Sequence, residues 1–144
     1  MSDGAELPEV LGPGRAPLVG DVLPPLALPP LTRATLALYA GGSGDHIPLH
    51  IDSDFARRAG HRDVFMHGML GVAYLARMVT QWVPQERLRD LAVRFTAMTF
   101  PGEALTATGA VAEIASDGST TLDLTLRNEA GEVKIAGRAT IAPA

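Results

Sequence analysis

Hydrophobic positions change their period along the chain, and each change marks an element. From Gly68 to Val83 the sequence GMLGVAYLARMVTQWV sets Leu70, Ala73, Tyr74, Arg77, Met78 and Gln81 near one stripe and Met69, Val72, Leu75, Ala76 and Val79 round the rest. A helix apolar over most of its circumference is one surrounded by protein, so this segment is predicted to be a buried central helix, stopped by Pro84. After the charged link QERLRD the period falls to two: Leu91, Val93, Phe95 and Ala97 alternate with Ala92, Arg94, Thr96 and Met98, as a strand requires. Pro101-Gly102 breaks it. Three further stretches, ALTATGAVAEIA, TTLDLTLRN and EVKIAGRATIA, are separated by the turn signals Ser116-Asp117-Gly118 and Asn128-Glu129-Ala130-Gly131. They read as an antiparallel meander.

Upstream of the long helix the elements are shorter. Thr32 stands as N-cap before RATLALYA, with Leu36 and Tyr39 on one face and Gly41-Gly42 as the stop. Asp52 or Ser53 caps a second short helix over DFARRAG, with Phe55 and Ala59 on one face and Gly60 ending it; this is expected to be a lid or wall. The two proline pairs of VLPPLALPP, within Asp21 to Pro30, restrict that stretch to the margin of a sheet. Residues 1–20 carry no lasting period and read as a loosely ordered leader before one domain, 21–144. The class is α+β: an antiparallel sheet wrapped around a long central helix.

Composition narrows the function. With 12 basic and 16 acidic residues, a net charge of −4 and no basic run, the chain lacks the footprint that nucleic acid requires. It has no cysteine, which removes disulfides and thiolate metal sites. No apolar run reaches the ~18 residues of a membrane span. A soluble, cytoplasmic protein with no membrane partner is expected. Gly41-Gly42-Ser43-Gly44 has neither GxGxxG spacing nor a following Lys-Ser/Thr pair, so it is a turn and not a nucleotide cradle. Ser43 lacks the GxSxG context of a serine nucleophile.

Candidate chemistry lies in Ser43 to His50, SGDHIPLH. Asp45 and His50 stand five positions apart around Pro48. A carboxylate and an imidazole can share the proton transfers of water addition to a double bond near neutral pH. The same spacing also suits an Asp45 that caps a turn and a His50 packed as a satisfied histidine. His67-Gly68 precedes the central helix, whose first amides are unpaired and suited to a developing oxyanion. Equally, Gly68 can serve only a close approach of backbone, with His67 as a cap. A metal on His46 and His50 needs a helix between them, and Pro48 opposes one, so no metal is expected. Met66 and Met69 can sit in a core or line an acyl tunnel.

At these residues the sequence resembles the MaoC-like hot-dog dehydratases, which include R-specific enoyl-CoA hydratases and 3-hydroxyacyl-ACP dehydratase subunits. The matching positions are Tyr39-Ala40, Ser43-Gly44-Asp45, Pro48-Leu49-His50, Asp52, Phe55-Ala56, Gly60 and His67-Gly68-Met69. The likeness runs from about Leu31 to the C-terminus. It implies a single hot-dog domain that reversibly adds water, syn, to a trans-2-enoyl-CoA or -ACP to give the (R)-3-hydroxyacyl thioester. Asp45 and His50 would hold the water, the Gly68 amide would face the thioester carbonyl, and Ser43, Ile47, Phe65, Met66, His67 and Met69 would contact substrate. No cofactor is implied beyond CoA or acyl carrier protein as the substrate's carrier, and a homodimer or hot-dog heterodimer is expected. One position departs from the family pattern: its Asn is Ile47 here. That keeps two alternatives open, a non-catalytic acyl-thioester-binding subunit and a hot-dog thioesterase.

Overall fold

The computed structural model describes residues 8–144. Five strands form one sheet in the order β1-β3-β4-β5-β2, with β1 at Leu26–Ala27, β2 at Leu88–Phe95, β3 at Leu105–Ile114, β4 at Thr120–Asn128 and β5 at Val133–Ile141. All pairings are antiparallel. The meander predicted from the turn signals is β3-β4-β5, and the proline-rich stretch does enter at the margin, as the two-residue β1. Alternation along β4 buries Thr120, Leu122, Leu124 and Leu126 and leaves Asp123 outside. This inner face packs on Leu75, Met78 and Val79 of the helix α3, Gly68–Trp82.

Two sites show how close that packing is. A β-carbon on Gly71 would stand 2.5 Å from Cδ1 of Ile135 and 3.1 Å from Leu126 and Met66, and one on Gly68 would stand 2.8 Å from the Phe95 ring. Glycine at these helix positions therefore lets the helix approach the sheet.

Several expectations change in detail. The central helix is not surrounded: Leu70, Gly71, Leu75, Met78 and Val79 are buried, whereas Met69, Ala73, Arg77 and Gln81 form an open stripe. One helix on one sheet covers only one helical face. Strand β2 starts at Leu88, three residues before the alternation does, because a bulge between Leu88 and Asp90 shifts the register. Helix α1, Arg33–Ser43, runs through Gly41 and Gly42 and stops at Gly44, which takes the left-handed conformation at φ 78°. Its N-cap is Thr32, whose side chain accepts from the Thr35 amide. Helix α2, Ser53–Arg58, is capped by Asp52 through the Phe55 amide.

Residues 1–7 of the expected leader lie outside the described residues. Beyond them, Leu11 is buried; its amide donates to the Val22 carbonyl at 2.8 Å, and the Leu23 amide donates to Gly109 at 2.9 Å. That stretch lengthens the β1 margin of the sheet. No helix among the described residues is long and apolar enough to cross a membrane.

Candidate active site

Three consecutive pieces of local structure bring Asp45 and His50 together. Gly44 ends α1, and the Ser43 hydroxyl donates to the Tyr39 carbonyl at 2.7 Å while accepting from the Asp45 amide at 3.2 Å. Ser43 thus stitches the helix end to Asp45. The Asp45 carboxylate in turn accepts from the Ile47 amide at 3.3 Å. Pro48 then opens a single 3-10 turn, Pro48–His50, which swings His50 into a buried position. That turn is the bend expected of Pro48.

Hydrogen bonding fixes the proton on each imidazole. Nδ1 of His50 lies 2.7 Å from the Phe65 carbonyl oxygen, which only accepts, so Nδ1 carries the proton and Nε2 of the neutral ring is a free base. Nε2 of His67 donates to the Asp45 carbonyl at 3.1 Å, which leaves His67 Nδ1 unprotonated; it is buried and has no partner. The two rings stack, with centroids 3.9 Å apart and planes 28° apart. Burial lowers the His67 pKa below its ordinary value, the proximity of His50 adds to this, and the bond to the Asp45 carbonyl opposes it.

One oxygen or nitrogen from each of Asp45, His50 and His67 lies within 4.8 Å of the others. That set resembles a metal triad in composition, but its geometry is wrong for one. A coordinated ion lies in the plane of each imidazole, whereas these two rings stack face to face with centroids 3.9 Å apart and planes at 28°, and His50 Nδ1 and His67 Nε2 are already bonded to carbonyl oxygens. The spacing suits water better. Two groups each ~2.8 Å from one water, in tetrahedral directions, are about 4.6 Å apart.

Beside this cluster lies a cleft of about 370 Å³ whose walls include Phe65, Met66, Gly68, Phe95, Met98 and Thr99. Asp45 and His50 do not line it; Phe65 joins the two, its ring edge-on to His50 at 5.1 Å. Gly68 opens α3, so its amide has no carbonyl partner within the helix. The far wall is the segment 96–99. It is held by the Met66 amide donating to the Thr99 carbonyl at 2.8 Å and by buried Lys134, which donates to the Met98 carbonyl at 2.8 Å and pairs with Glu103 and Glu132. Burial opposes the charge of Lys134, but its bonds to Glu103 and Glu132 outweigh this and hold its pKa up.

Of the residues expected at the site, Asp45, His50 and His67 meet in one cluster, and Phe65, Met66 and Gly68 line the cleft. Ile47 and Met69 project outward at 52% and 60% exposure, and the Ser43 hydroxyl is spent on backbone. His67, at 1% exposure, offers almost no surface to a ligand. It stands at the N-cap position of α3 but makes no side-chain cap bond, since its ring turns back to Asp45. Sequence reasoning missed Phe95, Thr99 and Lys134 as cleft residues; only the period of β2 pointed at the first, and nothing local marked the others.

Residues 24–133 match the family model described as MaoC like domain. The chain belongs to the MaoC-like domain family. Among curated relatives, this MaoC-like chain is 33% identical over 107 residues to a 3-hydroxyacyl-thioester dehydratase X of Mycobacterium tuberculosis, covering 74% of the chain and 35% of that protein. It is 39% identical over 66 residues to the peroxisomal multifunctional enzyme type 2 of Mus musculus, covering 44% of the chain and 9% of that enzyme. It therefore spans only a minor part of each of these relatives. Among solved structures, an (R)-hydratase of A. caviae superposes with a TM-score of 0.81 over 91% of this chain and 100% of that one, at 24% identity, and has the same fold. The single five-stranded antiparallel domain is thus a hot-dog fold.

Proposed function

We propose that this MaoC-like domain is an acyl-thioester hydratase or dehydratase, which adds water reversibly to a trans-2-enoyl thioester carried on CoA or acyl carrier protein. The observation that carries this reading is the clustering of Asp45 and His50, with ligand atoms of Asp45, His50 and His67 all within 4.8 Å and His50 Nδ1 bonded to the Phe65 carbonyl, which leaves Nε2 of that tautomer to act as base. His50 takes one proton from that water as its oxygen bonds to C3. The double-bond electrons move toward the thioester oxygen, and C2 receives one proton through the Asp45 and His50 pair. Atoms balance: the product gains OH at C3 and H at C2. Because one cluster handles both transfers, addition is syn.

Charge that develops on the thioester oxygen needs a donor. The Gly68 amide, at the positive end of α3 in a residue that lines the cleft, supplies it in this reading; such a donor is worth about 10²–10³ in rate. The apolar cleft walls suit an acyl chain and its pantetheine arm. A second hot-dog protomer completes the site in this reading. Support comes from β2, which pairs on one side only, and from Phe95, Met98, Ile47 and Met69, apolar yet exposed near the cleft.

The test is the fall in enoyl-thioester absorbance on mixing the protein with crotonyl-CoA and longer trans-2-enoyl-CoAs, followed by chiral analysis of the product. Loss of the band with an (R)-3-hydroxyacyl product is expected. A flat trace points to the binding-only subunit, and release of free CoA to a thioesterase.

A further inference from the structure

Sequence reasoning puts His67 on the substrate wall, yet the ring is buried, and two of its contacts are to the reacting pair. Nε2–H holds the Asp45 main chain at 3.1 Å, and the ring face lies on His50 at 3.9 Å. We propose that His67 is a positioning residue that fixes the Asp45 carboxylate and the His50 imidazole relative to one another.

The structure supports this in three ways. Asp45 is delivered by the end of α1 and His50 by the turn after Pro48; the Ile47 backbone bridges their main chain, its amide donating to Asp45 and its carbonyl accepting from the His50 amide at 3.0 Å, and Phe65 holds His50 Nδ1. His67 adds the contact that joins the Asp45 carbonyl to the face of the His50 ring itself. It is also the residue before Gly68, so the same backbone carries the oxyanion donor and sets its place relative to the pair. Tyr39 packs on the His67 ring at 4.8 Å, so α1 backs the stack from the other side.

Neutrality is part of the role. Nδ1 of His67 is buried without a partner, and protonating it would bury an unpaired cationic donor. A neutral ring can stack on His50 without opposing the imidazolium that forms when His50 takes a proton. A charged His67 would repel it.

Three substitutions separate the contacts. His67→Phe keeps a ring and loses the donor, His67→Gln keeps a donor and loses the ring, and His67→Leu loses both. The kinetic arm rests on the hydratase reading: kcat with crotonyl-CoA is expected to fall ~10-fold in each of the first two and ~100-fold or more in the third, with KM within about threefold of wild type. Melting curves give the folded fraction to which each kcat is normalised. A rise in KM at unchanged kcat would overturn the proposal and return His67 to the substrate wall, as would wild-type kcat in all three. If the wild type converts no enoyl-CoA, the hydratase reading has failed, and the second arm decides alone. In imidazole ¹⁵N spectra without substrate, His50 is expected as a single Nδ1–H tautomer in wild type and His67→Phe, and as a mixture in His67→Gln and His67→Leu. A His50 spectrum the same in all four proteins sinks the idea.

Discussion

His50 is useful as a base because a carbonyl occupies its other nitrogen. The Phe65 carbonyl accepts from Nδ1 at 2.7 Å, so the lone pair is on Nε2, and the same Phe65 packs its ring against His50. That tautomer could not be read from the sequence, since it depends on a residue fifteen positions away. What could be read was the pairing of Asp45 with His50 around Pro48, because that turn is local. A histidine before a helical glycine reads as a cap or a wall; His67 does stand at the N-cap position, and only tertiary structure turns its ring back onto His50. Ile47 is a residue-scale question as well. Its side chain is half exposed, and only its amide touches Asp45. Ile47→Asn should therefore change stability by no more than ~0.5 kcal/mol. It should also raise kcat/KM with crotonyl-CoA several-fold, because a shorter polar side chain can turn in from the surface toward the pair that holds the water. An unchanged rate would mean that Ile47 suits the protein's own substrate.

At the scale of elements, α3 sets the geometry of the cleft because two of its glycines admit the sheet so closely. Gly71→Ala puts a methyl 2.5 Å from Cδ1 of Ile135, the end of a flexible side chain like the Leu126 and Met66 atoms beside it, and the ~0.5–1 kcal/mol that alanine gains in a helix offsets part of the repacking. A fall of no more than a few degrees in Tm is therefore expected, and a larger fall would show that these side chains cannot give way. An unaltered Tm would show that Ile135, Leu126 and Met66 rearrange at little cost. The long helix, the three-strand meander and both N-caps, Thr32 and Asp52, were legible because each rests on local periodicity or local side-chain chemistry. Strand order was not. β2 crosses to pair with β5 at the edge far from β1, and such pairing is a nonlocal choice that no window of sequence contains. Likewise the exposed stripe Met69, Ala73, Arg77 and Gln81 was hidden within a helix that reads as apolar all round.

For the molecule as a whole, two buried charge arrangements should shape stability against pH. Unfolded His67 takes up a proton as pH falls through about 6.5, whereas the native ring, desolvated beside Asp45, His50 and Tyr39, resists it. The unfolded state then binds more protons, so the His67 contribution is complete above about 6.5 and is lost below it. Burial pushes the Glu103 carboxyl up, but bonds from Lys134, the Phe100 amide and Asn128 outweigh this and hold it below the ordinary range. Its contribution survives to lower pH and fades as pH falls through the carboxylate range. Melting temperature should accordingly drop in two stages on acidification, and His67→Gln should flatten the first; a profile level from pH 7 to 5 would rule that linkage out. The hydratase account stands or falls most directly on single-turnover rates of Asp45→Asn and His50→Ala with a trans-2-enoyl-CoA, each checked for an unchanged fold. A loss of about 10²–10⁴ is expected in either variant, the usual worth of a positioned acid or base. A near-wild-type rate in either one would contradict it.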